Sequence, residues 1–118
     1  MSDASAPETP VLRPSTGLHV VRAGGAVLAE SAAGYEVDLP GAEAPVVYLP
    51  RADVDLFLDA GEGGMEIPGL GHASLLTIVA KSGPIMGAAW VIDAPAEGAE
   101  ALSGHVAFDT ERVAVELL

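Results

Sequence analysis

Apolar and polar positions alternate with period two along most of this chain, the pattern of strands with one face turned to a core. L-H-V-V-R, from Leu18, and A-V-L-A-E flank Ala23-Gly24-Gly25. A Gly-Gly pair tolerates the positive φ angles of a two-residue hairpin, so these two runs are expected to pair. G-Y-E-V-D-L alternates from Tyr35 to Leu39 until Pro40-Gly41 breaks it, and P-V-V-Y-L follows and stops at Pro50. Residues 51–58 read two ways: Val54, Leu56 and Leu58 alternate like a strand, while Asp53 is able to cap a short helical turn. The glycine-rich stretch 61–71 reads as a connection. Ala73 to Ala80 is a long apolar strand, Lys81-Ser82-Gly83 turns the chain, and Ile85 to Ile92 is its antiparallel partner.

The single helix signal is D-A-P-A-E-G-A-E-A-L-S-G. Asp93 caps it, Pro95 suits its first turn and Gly104 its stop, while Gly98 costs about 1 kcal/mol relative to alanine. His105 to Phe108 and Val113 to Leu117 are further strands, the last closing a sheet. The chain is therefore expected to be mostly β, one domain of about seven or eight short strands with one short helix. Residues 1–16 are polar and proline-bearing and are expected to form a disordered or loosely docked tail, leaving residues 17–118 as the domain.

Composition narrows the function. A chain of 118 residues holds one domain. Aromatics are only 4 % of it, so Val, Leu, Ile and Ala must build the core. The formal net charge is −12, and the five Lys and Arg form no patch from Arg13 to Arg112. That balance works against nucleic acid, which is bound by neutralising phosphates, and it disfavours anionic membrane surfaces, so neither is expected as a partner. There is no cysteine, hence no disulfide, thiolate zinc site or cysteine nucleophile. The start lacks the basic and apolar regions of a signal peptide, and no apolar run reaches about 18 residues, so a cytoplasmic location is expected.

Candidate chemistry is sparse. G-E-G-G-M-E-I-P-G-L-G-H lacks the lysine of a phosphate loop, and its glycines are read as serving turns. His19, His72 and His105 lie at no metal-ligand spacing from one another, although His72 could meet Glu66. His19 reads as structural and His105 as a partly exposed strand residue. No G-x-S-x-G elbow supports Ser74 as a nucleophile. Arg51 and Asp53 read, on residue types alone, as a turn brace, and Trp90 as a core anchor behind Gly87-Ala88-Ala89.

Three separated segments carry a family resemblance. V-V-Y-L-P-R-A-D-V is similar to a Y-x-P-R-E-D-V block, and I-P-G-L-G-H-A-S-L-L-T-I to a C-P-Y-K-G-x-A-x-Y-W block. A-A-W-V-I-D-A-P through G-H-V-A-F-D-T-E-R-V is similar to an ending A-W-x-Y-P-x-P followed by I-x-G-Y-V-A-F-Y-x-D-R-V. In order and spacing, roughly from Leu18 to Leu118, the chain resembles the bacterial family catalogued as domain of unknown function 427. The resemblance implies a compact β-rich fold of bent antiparallel sheets, similar to the β-tent of Mss4-like proteins, without zinc. The family has no settled activity, and nothing in these residues supports the nucleotidyltransferase-like label it has carried. Tyr48, Pro50, Arg51, Asp53, Gly71, Ala73, Trp90, Gly104 and Arg112 match the pattern. The middle block departs from it: Ile67, Gly69, Leu70 and Leu75-Leu76 stand where the family has cysteine, an aromatic, lysine and Tyr-Trp.

The function expected from the whole sequence is a non-catalytic small-ligand-binding or interaction module, with a homodimer included in that expectation. Its candidate pocket is bounded by Tyr48, Arg51, Asp53, His72, Trp90 and His105. Arg51 would hold an anionic or polar ligand, Trp90 would wall it, and the histidines would hydrogen-bond it. No cofactor or metal is expected. One alternative is a small hydrolase or nucleotidyltransferase-like enzyme using Arg51, Asp53 and a histidine, with Ser74 and the Asp53–Asp55 pair as further candidates. Another is a structural or oligomerisation domain with an apolar face of Leu75, Leu76, Ile78 and Ile85.

Overall fold

The computed structural model describes residues 10–23, 26–39, 41, 44–54, 58–80 and 83–118. Residues 1–9 of the expected tail, the Gly24-Gly25 hairpin, Pro40, Asp55, Leu56 and the Lys81-Ser82 turn lie outside the described residues. Among the described residues every strand pairing is antiparallel and the protein is mostly β. The strands are β1 (Val11–Pro14), β2 (His19–Ala23), β3 (Ala26–Ser31), β4 (Tyr35–Asp38), β5 (Val46–Pro50), β6 (Leu58–Ile67), β7 (Gly71–Ala80), β8 (Gly83–Pro95), β9 (His105–Phe108) and β10 (Ala114–Leu117). A short helix, α1 (Arg51–Val54), follows β5. One sheet has seven strands in the order β1-β4-β5-β9-β8-β7-β6, and a second has three in the order β10-β2-β3. Bulged antiparallel sheets of this kind are consistent with a tent-like arrangement.

One strand is added to the sequence reading and two local expectations are corrected. Val11–Pro14, placed in the tail by composition, is strand β1 and pairs with β4 in the register Val11↔Asp38 to Pro14↔Tyr35. Its Arg13 reaches Glu36 at 3.2 Å and also Asp38, so pairing and charge recruit a segment that its prolines marked as loose. The glycine-rich stretch is not a loop through its length. It forms most of β6, because the outer edge of β7 offers unpaired backbone groups that must be satisfied. The helix expected after Asp93 does not form. Ala94 and Pro95 still pair with His72 and Gly71 of β7, and Gly98 takes φ +93°, which no helix contains. Only one 3₁₀ turn, Glu100–Leu102, remains of it.

Alternation along β5, β8 and β9 sends side chains to two cores. Leu49, Val91, Val106 and Phe108 join Val21, Val54, Leu76 and Ile78 in a first core, over which the three-stranded sheet packs. Tyr48, Ile92 and Ala107 join Val37, Leu70, Ala73 and Leu102 in a second core on the opposite face, closed by the β6–β7 turn and the 3₁₀ turn. Of the four residues offered as an apolar face, Leu76 and Ile78 are 4 % and 0 % exposed within the first core, whereas Leu75 and Ile85 are half-buried.

Candidate functional site

β9 is four residues long and lies between two longer strands, so the sheet leaves a gap at each end of it. The gap before β9 is the candidate site. The chain stops being a strand at Pro50 and turns into α1, whose Val54 is buried in the first core. The Arg51 N–H donates to the Gly104 carbonyl at 3.1 Å, and the Gly104 N–H donates to the Ile92 carbonyl at 2.9 Å. Backbone hydrogen bonds thus hold α1, the turn before β9 and the end of β8 around one cavity of about 430 Å³. Arg51, Gly61, Ser74, Asp93 and Ser103 line it, over Leu76 and Val91.

Two irregularities in strand pairing open on this cavity. On β8, Ile92 pairs with Ala73 and Ala94 with His72, so Asp93 is an extra residue with no partner opposite it. Such a bulge re-aims its side chain. Here the Asp93 carboxylate accepts a hydrogen bond from the Ser74 hydroxyl. On β6, Ala60 pairs with Leu76 and Gly64 with Ser74, so residues 61–63 face Leu75 alone. Gly61 is required there, since a Cβ would lie 2.6 Å from the Leu75 carbonyl oxygen. The residues that line the cavity therefore include an arginine, an aspartate and two serines beside an apolar floor.

The six residues expected to share a pocket are distributed as follows. Arg51 lines this cavity. Trp90 lines another, of about 380 Å³, at the far end of β9 with Phe108, Asp109 and Glu111. Tyr48 is 1 % exposed in the second core and accepts the Trp90 indole N–H at 3.1 Å. Ala107 pairs with Trp90, and the β5–β9 register carried on by one residue puts it opposite Tyr48 as well, so a methyl group leaves room for that bond across β9. Burial pushes the Tyr48 phenol above its ordinary pKa. Asp53 accepts a hydrogen bond from Ser31 at 2.7 Å, tying α1 to β3. His72 meets Glu66 through Nδ1 at 2.7 Å on the β6–β7 pair, as the sequence allowed. His105 donates from Nδ1 to the Ser103 carbonyl at 3.2 Å and stands edge-on to Tyr35 at 5.5 Å.

The structure thus places Arg51 and the indole at opposite ends of β9. It brings Ser74, Asp93 and Ser103 to Arg51 instead. Sequence reasoning weighed Ser74 as a nucleophile and took Asp93 for a helix cap. The bulge that aims Asp93 depends on register with β7, which no local pattern reveals.

The sequence pattern described as Domain of unknown function (DUF427) matches residues 11–118. The chain belongs to that family. No curated protein matches it. Within this DUF427 member, the positions that depart from the resemblance of the middle block are apolar or small for a visible reason. Leu70, in place of lysine, is 0 % exposed in the second core. Gly69, in place of an aromatic, has φ +82° with Pro10 directly against it, so no side chain fits. The matching Gly71, Gly104 and Arg112 are architectural: Arg112 donates to the Met86 and Gly87 carbonyls at 2.8 and 3.0 Å and to Asp109 at 2.9 Å.

Proposed function

We propose that this DUF427 chain is a non-catalytic binding module that takes a small ligand with an anionic group into the cavity beside α1. Arg51 is its anchor, because a planar guanidinium matches a carboxylate or phosphate group. The observation that carries this reading is the convergence of Arg51, the Asp93 bulge and the residue 61–63 bulge on one cavity of about 430 Å³. Bulges gather next to functional sites because they re-aim side chains at the cost of regular pairing. Concave sites with a few converging polar groups over apolar walls are where small ligands bind.

The catalytic alternative needs Arg51, Asp53 and a histidine in one concavity. Asp53, His72 and His105 are absent from the cavity's lining, which favours binding without catalysis. The net charge of −12 supports a partner other than nucleic acid or an anionic membrane. No helix among the described residues is long and apolar enough to cross a membrane, and a chain without cysteine suits a cytoplasmic setting. A thermal-shift screen with small carboxylates, inorganic phosphate and nucleotides tests the reading, run on the wild-type protein and on Arg51→Ala. Wild type should rise by about 5 °C at a ligand concentration tenfold above Kd, and Arg51→Ala should not respond. A ligand shift that survives the substitution removes Arg51 from the site.

A further inference from the structure

We propose that the ligand of this cavity is a small zwitterion of the α-amino-acid class, its carboxylate on Arg51 and its ammonium on Asp93. The inference rests on the binding-module reading and narrows it from any anionic ligand to one chemical class.

The charges that line the cavity are opposite in sign. Arg51 stands on α1, and Asp93 is the bulged residue of β8. A carboxylate offers about four acceptor sites, and Ser74 occupies one of them. Asp93 therefore keeps acceptors for the three N–H groups of an ammonium. A phosphate or other polyanion at Arg51 would have the Asp93 carboxylate beside it, inside a chain of net charge −12. Both repel it. A simple cation at Asp93 would meet Arg51. A ligand of zero net charge with separated poles gains from both side chains and is indifferent to the field of the whole protein. The size agrees: a cavity of about 430 Å³ lies at the lower end of the range for ligand pockets. Leu76 and Val91, 4 % and 6 % exposed in the first core, give the floor an apolar patch for an aliphatic side chain. Ser103 lines the same cavity and adds a residue able to hydrogen-bond a ligand.

The experiment is titration calorimetry on the full-length chain with common L-α-amino acids, then with the N-acetyl and amide derivatives of the tightest one, and with inorganic phosphate. The expected result is binding of the amino acid and at least a tenfold loss of affinity for each derivative, since each lacks one charge. Asp93→Asn, close in shape to the wild type, should abolish the preference for the amino acid over its N-acetyl form. Arg51→Ala should abolish the preference over the amide. The derivative comparison uses the wild-type protein alone and so stands even if a variant folds poorly. If N-acetylated or phosphate ligands bind as tightly as the amino acid and depend on Arg51, the zwitterion inference is overturned while the binding-module reading stands. If neither the amino acids nor any anion binds, both fall.

Discussion

Tyr48 is the largest fully buried side chain among the described residues, and its hydroxyl is the acceptor for the lone indole. Tyr48→Phe keeps the ring and leaves the Trp90 N–H without that acceptor. The expected loss is about 1 kcal/mol, read from the urea midpoint at unchanged m. His19 poses the opposite problem. It is 1 % exposed, its Nδ1 has no hydrogen-bond partner among the described residues, and its Nε2 is 3.5 Å from the Ser15 hydroxyl. Burial pushes its pKa below the ordinary 6.5, against a weaker upward pull from Glu36. The unfolded chain therefore takes up this proton before the folded one does. The stability that depends on a neutral His19 is complete above about pH 6.5 and is lost as pH falls through the lowered folded value. Urea midpoints measured from pH 7.5 down to 5 should decline, and His19→Leu should flatten that decline.

Among the elements, the β6–β7 hairpin shows how backbone geometry selects residues. Gly71 opens β7 with φ +112°, and a Cβ there would lie 2.2 Å from the Ala94 carbonyl oxygen of β8. Gly71→Ala combines a disfavoured conformation with a backbone clash and is expected to cost about 3 kcal/mol or more, measured by chemical denaturation. The Ala94–Pro95 pairing would open first, seen as faster amide exchange at the end of β8. Elements with strict alternation were legible in the sequence. His105–Phe108 was read with the observed bounds, and the β7–β8 pair was read as an antiparallel hairpin. The helix after Asp93 was misread because its cap, proline and stop are all local signals, whereas the β7 ladder that continues past Asp93 is not. The strand in the glycine-rich stretch was missed because its reason to form is the edge of β7, contributed by other residues.

For the whole molecule, charge is the dominant trait. Exposed ion pairs such as Arg22–Glu116 at 2.8 Å use the few cations, and each contributes at most about 1 kcal/mol. Seventeen acids against five Lys and Arg leave net repulsion across a body of 52 × 31 × 22 Å. Raising ionic strength from about 10 to 150 mM screens that repulsion more than it weakens the pairs, so Tm should rise by a few degrees in differential scanning calorimetry. The same excess of negative charge makes a neutral, dipolar ligand a better guest than a polyanion.

Period-two patterning, scarce aromatics and the absence of cysteine were enough to define a mostly β chain with an aliphatic core, since hydrophobic alternation is a property of neighbouring residues. The three blocks in register were enough to place it in its family. The cavity required the folded sheet. Arg51, Ser74, Asp93 and Ser103 are drawn from four separate segments, and they meet because a short β9 leaves a gap and two bulges shift the registers beside it. Register is set by contacts between strands distant in sequence, so which side chains share that gap is a tertiary fact.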